Sequence, residues 1–350
     1  MKINKNTYIS LDKFIDRALY NKKFGYYMKK NPFGKDGDFI TAPNIYILFS
    51  EMIAIWGVAF WESLGCPKKI NIVELGGGNG EMMFQMIKVF QRFNIFKKSS
   101  RYYILEKSHF LKKIQRKKLS DYNVKWIDSL NKLNSGPNIF FANEFFDALP
   151  IKQFIKKDNK WFEKKIKTIS KNNFELVNAI TNIQNLEKKI GINLKNDQKF
   201  IEFSPLTYKY LNTISKKINT FRGGLLIIDY GYLEKEVKNS LQSVRKHKFS
   251  NSLKDFSNSD ITHSISFYLL KKISEKLKLK VAGITTQKNF LTKLGIMQRA
   301  EILARNLKFS KKANIYNRLN RLIDNKFMGN LFKVMFITKK NNKFKIGFEN

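Results

Sequence analysis

Cysteine is almost absent from this 350-residue chain, with Cys66 standing alone. An intrachain disulfide and a cysteine-based zinc site are therefore both excluded, and a reducing compartment is expected. No stretch reaches the roughly 18 uncharged apolar residues that a membrane helix requires. The first residues, Met1 to Tyr20, mix Lys, Asn and Asp with isolated apolar positions and lack the apolar core of a signal peptide. A cytoplasmic protein without membrane insertion is the expectation. Acidic residues are also scarce, 28 against 66 Lys and Arg, for a formal net charge of +38. Such a balance ordinarily points to nucleic acid. Here the lysines run through every segment beside abundant Asn, Ile and Phe, and no arginine-rich tract or nucleic-acid motif focuses them. The charge reads as a compositional bias of the whole chain, with electrostatic attraction to phosphate kept as a rival. No internal repeat is present, and the length allows one large α/β domain with additions or two domains.

What is present begins at residues 72–80, IVELGGGNG. An apolar run ends in Glu74 and Leu75 and is followed by Gly76, Gly78 and Gly80 at alternate positions before an amphipathic segment. A strand that turns sharply into a helix beside a ligand needs residues without a Cβ. The dinucleotide fingerprint Gly-x-Gly-x-x-Gly would place glycine where Glu81 stands. That difference leans away from NAD and toward S-adenosylmethionine (SAM). Methionines 82, 83 and 86 recur at helical spacing with apolar neighbours and belong to a core face. Tyr102 to Leu105 reads as the next strand and ends in Glu106, 26 positions after Gly80. An acid at that place accepts hydrogen bonds from ribose hydroxyls.

The strands Ile70–Leu75, Tyr102–Leu105, Val124–Ile127 and Asn138–Ala142 alternate with helix-length segments, which predicts a Rossmann-like α/β fold with a doubly wound, mainly parallel sheet. Residues 1–65 read as a helical N-terminal region whose loop, NPFGKDGDFITAP (31–43), is a connection or a lid. Residues 66–150 form the first part of the sheet domain. Residues 151–200 read as an inserted antiparallel β segment, with FIKK, WFEKKIKTI and FELV joined by Lys-Asp-Asn and Lys-Asn-Asn turns. Residues 201–350 complete the domain through GLLIIDY (224–230), helices around 265–277 and 289–307, and a strand near 331–338. The tail beyond Lys339 reads as frayed. Ligands of such sheets bind outside the carboxyl ends of the strands. There the chain places the glycines, Glu106, Asp128, Asn143, Glu144, Asp147 and Asp229, an acidic and aromatic set suited to a cationic ligand. Asp128 could accept from an adenine amino group or cap the next helix.

Nine stretches, in order, resemble one family, the MidA-like class I methyltransferases, which include a mitochondrial assembly factor of respiratory complex I that methylates a protein arginine. They are GDFITAP (37–43), FSEMIAIW (49–56), ELGGGNG (74–80), ANEFFDALPIKQF (142–154), EFSP (202–205), IDYGY (228–232), LQSVRKH (241–247), TQKNFLTKLGI (286–296) and MGNLFKV (328–334). The stretch SDITHSISF (259–267) departs from the family, which carries a histidine and an aspartate where Ser264 and Ser266 stand; His263 is one position off. The resemblance implies SAM-dependent methylation of a protein arginine, on the quinone-side 49 kDa-type subunit of complex I. A protonated guanidinium must be held by carboxylates that aim one nitrogen at the methyl, for which Glu144 is the first choice, with Glu202 and Asp147 behind it. Glu74, Gly76, Gly78, Gly80, Glu106, Asp128 and Asn143 would hold the cofactor, and Asp38, Phe39 and Thr41 would close over its methionine end. No metal is implied. A homodimer is a candidate assembly. Two rivals remain: an RNA or DNA methyltransferase, whose Asn-Pro-Pro-aromatic loop is missing at Asn143, and a SAM-binding assembly escort without turnover.

Overall fold

The computed structural model describes residues 8–29, 31–32, 41–170, 173–194, 198–236, 239–245, 248–249 and 256–349. Seven strands form its main sheet: β1 Ile70–Leu75, β2 Ser100–Leu105, β3 Val124–Ile127, β4 Asn138–Asn143, β5 Gly223–Tyr232, β6 Leu279–Thr286 and β7 Phe332–Lys339. Their order is β6-β7-β5-β4-β1-β2-β3, with the short strand Ile265–Ser266 added beside the end of β5. Strands β3, β2, β1, β4 and β5 run parallel, and β7 is antiparallel to both neighbours. The chain builds outward from β1 through β2 to β3, then returns to place β4 on the other side of β1. That reversal opens a crevice at the carboxyl ends of β1 and β4.

Successive side chains of a strand point to opposite faces. Accordingly Ile70 and Ile72 of β1 enter one core, and Val73 and Leu75 enter the other. Helices α2 Ile47–Ser63 and α3 Glu81–Phe90 cover the first face, while α5 Pro205–Phe221 and α6 Phe267–Lys276 cover the second. Helix α2 is apolar nearly all round because neighbours enclose it. One of them is the C-terminal tail, which corrects the expectation of a frayed end. Trp56 of α2 donates from Nε1 to the Ile346 carbonyl at 3.0 Å, Phe344 is buried edge-on to Trp56, and Phe348 packs on Phe290. The aromatic anchors outweigh the lysines and asparagines around them. Gly283 lies where the tail crosses β6, and a Cβ there would stand 2.5 Å from Phe348.

The inserted β segment is present as Lys152–Lys157, Lys160–Ser170 and Asn173–Ile180, followed by a helix at Ile183–Ile190. Its first turn has Asp158 and Asn159 at φ 47° and 58°. Two successive positive φ values match a two-residue hairpin turn whose twist suits the flanking strands. The sheet also takes in Tyr8–Ser10, paired with Lys160–Ser170, and Phe200–Phe203, paired with Lys152–Lys157. It thus reaches beyond 151–200 in both directions and carries Glu202 on its last strand. The helical region before β1 comprises α1 Leu11–Tyr20, Tyr26–Lys29, Ala42–Ile45 and α2.

Candidate active site

The glycine turn leaves β1 through Gly76, whose N–H donates to the Leu105 carbonyl at 2.9 Å. Gly76, Gly78 and Gly80 all have positive φ, at 71°, 51° and 82°. Only glycine adopts such values freely. A Cβ on Gly76 would also meet the Phe145 ring at 2.8 Å. Behind the turn, Glu74 is almost completely buried, and its Oε2 has no partner. Burial, with Glu106 nearby, pushes its carboxyl up to about 8, against a hydrogen bond from the Met83 backbone. An uncharged carboxyl is thereby favoured until a cationic or donor group arrives.

Glu106 follows β2. Its Oε1 accepts from the Ser108 N–H at 2.8 Å and its Oε2 from Gln115 Nε2 at 3.0 Å. Burial raises its carboxyl, and these hydrogen bonds oppose the shift. Asp128, just past β3, is elsewhere in character. It is exposed and paired with Lys132 at 2.9 Å, and that bond holds it below its ordinary value. It does not cap the next turn; Ser129 does.

The turn after β4 gathers three acids. Glu144 takes φ 49°, an uncommon conformation for a residue with a side chain, and its N–H donates to the Ile228 carbonyl at 2.9 Å. The strained position turns the carboxylate back across the strand ends, where Oε1 accepts from the Ala42 N–H at 3.3 Å and from Asn143 Nδ2 at 3.2 Å. Burial pushes Glu144 up to about 7. Asp147 is pushed up to about 8 by burial and by Glu144, although Tyr230 hydrogen-bonds it. Its Oδ1 is buried without a partner, as is Asn143 Oδ1. Beneath them Asp229 is fully buried; its Oδ2 accepts from the Phe146 and Asp147 N–H groups at 3.0 and 3.3 Å, and its Oδ1 from the Tyr230 N–H at 3.0 Å. Burial and the two neighbouring acids hold it well above the usual carboxylate range.

The N-terminal region reaches this site. Asn44 donates to Thr41 Oγ1 at 2.7 Å and accepts from Asn79 of the glycine turn at 2.7 Å. The end of the 31–43 loop is therefore tied to the glycine turn, and through Ala42 to Glu144. Asp38 and Phe39 lie outside the described residues. Tyr20 of α1 donates to the Ala148 carbonyl at 3.2 Å, which brings its phenol near Asp260, Glu106 and Asp147.

Glu202 is placed apart from the Glu144 turn. Its oxygens accept from Gln153 Nε2 at 2.6 Å and from Ser240 N–H and Oγ at 3.1 and 2.5 Å. It lines a cavity of about 40 Å³ with Ser204, Tyr232, His263 and Ser264. His263 connects the two places, since its N–H donates to the Asp147 carbonyl at 3.1 Å. Burial keeps its imidazole below its ordinary value and hence neutral. Sequence reasoning assigned no role to Gln115 or to Asp260, which accepts from Tyr27 OH at 2.9 Å through both oxygens. The visible signal for Gln115 was a polar residue on the apolar stripe with Leu111 and Leu119. Among the described residues no group of His, Cys, Asp and Glu could hold a metal ion, and no helix is long and apolar enough to cross a membrane.

Comparison with known proteins follows the same lines. Residues 52–285 match the model of a family described as "Putative S-adenosyl-L-methionine-dependent methyltransferase". The chain is 27% identical over 360 residues to the mitochondrial protein arginine methyltransferase NDUFAF7 of Xenopus laevis, covering 95% of this chain and 81% of that one. It is 28% identical over 372 residues to the NDUFAF7 homolog of Caenorhabditis elegans, covering 98% and 86%. A crystal structure of a superfamily member from Burkholderia thailandensis, bound to S-adenosyl-homocysteine, superposes with a TM-score of 0.79 at 20% identity, over 98% of this chain and 89% of that one. This last likeness supports the fold.

Proposed function

The chain belongs to the S-adenosyl-L-methionine-dependent methyltransferase family whose model it matches, and from that premise we propose that its acceptor is an arginine of a protein. The observation that carries the proposal is the set of buried acceptors left without donors along one crevice: Glu74 Oε2, Asn143 Oδ1 and Asp147 Oδ1. Buried acceptors without partners are costly. A cationic cofactor and a cationic acceptor supply the missing donors. SAM fits the residues present: the glycine turn offers backbone with no Cβ in the way, Glu106 would accept from its ribose, and Glu74 and Asn143 would suit the ammonium of its methionine end. Thr41, with Asp38 and Phe39 as further candidates, would close over the methionine end.

When bound, SAM supplies a methyl carbon on a sulfonium, whose C–S bond breaks with its electron pair on sulfur as the new N–C bond forms. The chain supplies position and charge. A guanidinium stays protonated in water, with a pKa above about 12. Glu144 and Asp147 would hold it by charge-assisted hydrogen bonds, aim one nitrogen at the methyl, and accept the proton that this nitrogen gives up. Glu202, already held by three donors, is the weaker catalytic candidate. Asp128, exposed and ion-paired, is the weakest of the cofactor candidates.

The relatives' names, "protein arginine methyltransferase", support a protein acceptor; a complex I subunit of the 49 kDa type is our finer reading, from the resemblance of ANEFFDALPIKQF and its companions. The acidic crevice favours a cation over a phosphate and so weighs against a nucleic-acid substrate. The same relatives are mitochondrial by name, which gives the cytoplasmic expectation no support. An exposed, solitary Cys66 suits any reducing compartment.

The pH dependence tests the pair. Glu144 at about 7 and Asp147 at about 8 hold protons in the empty site at low pH, and a protonated carboxyl cannot ion-pair with a guanidinium. Log kcat/KM should therefore rise with pH through about 7 to 8 and then level, with the apparent values belonging to the pair. Stability without ligand should run the other way. Folded carboxyls raised above their unfolded values bind extra protons, so this contribution is full below about 4 and is lost as pH rises to about 8. A flat kcat/KM profile across that range would remove the two carboxylates from the guanidinium site.

A further inference from the structure

We propose that Gln115 is the positioning residue of the cofactor site, fixing both the glycine turn and the ribose-facing carboxylate with one side-chain amide. The proposal rests on the SAM reading above and deepens it. Gln115 lies on α4, His109–Lys118, and is completely buried. Its Nε2 donates to the Gly78 carbonyl at 2.9 Å and to Glu106 Oε2 at 3.0 Å. Its Oε1 accepts from Trp126 Nε1 at 2.8 Å, which also settles which end of the amide faces which way. Both donor hydrogens and the acceptor are thus used, and each goes to a different element: the turn after β1, the end of β2 and strand β3.

Each bond has a consequence for ligand binding. The Gly78–Asn79 peptide is planar and trans, so its N–H points opposite to its C=O. Holding the carbonyl of Gly78 against α4 turns the Asn79 N–H away from α4, while the Asn79 side chain is engaged with Asn44. Glycines cannot set this orientation, because they have many backbone conformations to choose from. At Glu106, Gln115 takes one lone pair of Oε2 and Ser108 takes one of Oε1. The Lys107 backbone also hydrogen-bonds this carboxylate, and since a carboxylate offers about four such sites, about one is left for a ribose hydroxyl. The fit is close as well: a Cβ on Gly77 would lie 3.0 Å from the Gln115 amide, and one on Gly80 would lie 3.4 Å from its Cγ.

The test compares wild type with Gln115→Met, which keeps length and loses all three hydrogen bonds, and with Gln115→Glu, which keeps an acceptor for Trp126 and replaces the two amide donors with at most one O–H. SAM binding is measured by equilibrium dialysis with labelled SAM on protein shown to be folded by circular dichroism. Methyl transfer to a fixed acceptor preparation is then resolved into KM for SAM and kcat. Both variants should bind SAM at least about tenfold more weakly, the size of one or two lost hydrogen bonds. KM for SAM should rise to match, and kcat at saturating SAM should stay within about twofold. Folded variants with wild-type affinity would overturn the proposal. So would failure of both to fold, which would assign Gln115 to the fold instead. No SAM binding by wild type would overturn the cofactor reading, and this proposal with it.

Discussion

Glu144→Gln should lower methyl transfer by about 10²-fold or more while leaving SAM affinity within about twofold. The substitution keeps size and keeps an oxygen to accept from the Ala42 and Asn143 donors that now reach Oε1. It removes the negative charge that would pair with a guanidinium and the base that would take its proton. Losing one preorganised electrostatic group in an enclosed site costs about 10²–10³ in kcat, and proton transfer adds a comparable factor. Saturation kinetics with labelled SAM would show the loss in kcat. A variant that turns over at the wild-type rate would remove Glu144 from the chemistry. The same variant separates an enzyme from an escort, because an escort function would survive it.

Asp229→Ala should destabilise the protein by about 3 kcal/mol or more. Its carboxyl accepts from three backbone N–H groups, those of Phe146, Asp147 and Tyr230, inside a fully buried site. Each buried donor left without a partner costs about 1–3 kcal/mol. The offsetting gain is relief of some of the burial cost and repulsion by Asp147 and Glu144 that raise this carboxyl. Asp229→Asn retains an oxygen and should cost far less. Urea denaturation would measure both, with a shift in midpoint at an unchanged slope. The Phe146 and Asp147 N–H groups belong to the turn that carries Glu144 and Asp147, so kcat of the alanine variant should fall even where it remains folded. An alanine variant as stable as wild type would mean that other acceptors satisfy those donors.

The features that could be read from the sequence were those written in neighbouring residues. The apolar run into Gly76, Gly78 and Gly80 has one structural solution, and all three glycines take the left-handed values that justify them. The Asp158-Asn159 turn is equally local. Strand β6 was missed because LKVAGITT at the sheet edge is only half-buried, has a bulge between Val281 and Gly283, and so never presents a clear alternation. The strand Tyr8–Ser10 pairs with residues more than 150 positions away, and nothing beside it signals that partner. The tail was judged by its lysines and asparagines, whereas Phe344 and Phe348 decide its fate. In the site, Glu144 and Asp147 share one turn and were legible together. Glu202 reached the candidate set by family likeness, and only the tertiary fold shows it bound to Gln153 and Ser240. Gln115 acts through three elements at once, a relation no local pattern contains.

Transfer of a labelled methyl group from SAM, catalysed by the purified protein in a lysate from a strain that lacks it, is the most direct measurement. The labelled proteins would be digested and sequenced by mass spectrometry, with a nuclease-treated control in parallel. The account predicts label on an arginine side chain, resistant to nuclease and absent with Glu144→Gln. Label that nuclease removes, or SAM binding with no transfer to protein, would contradict it.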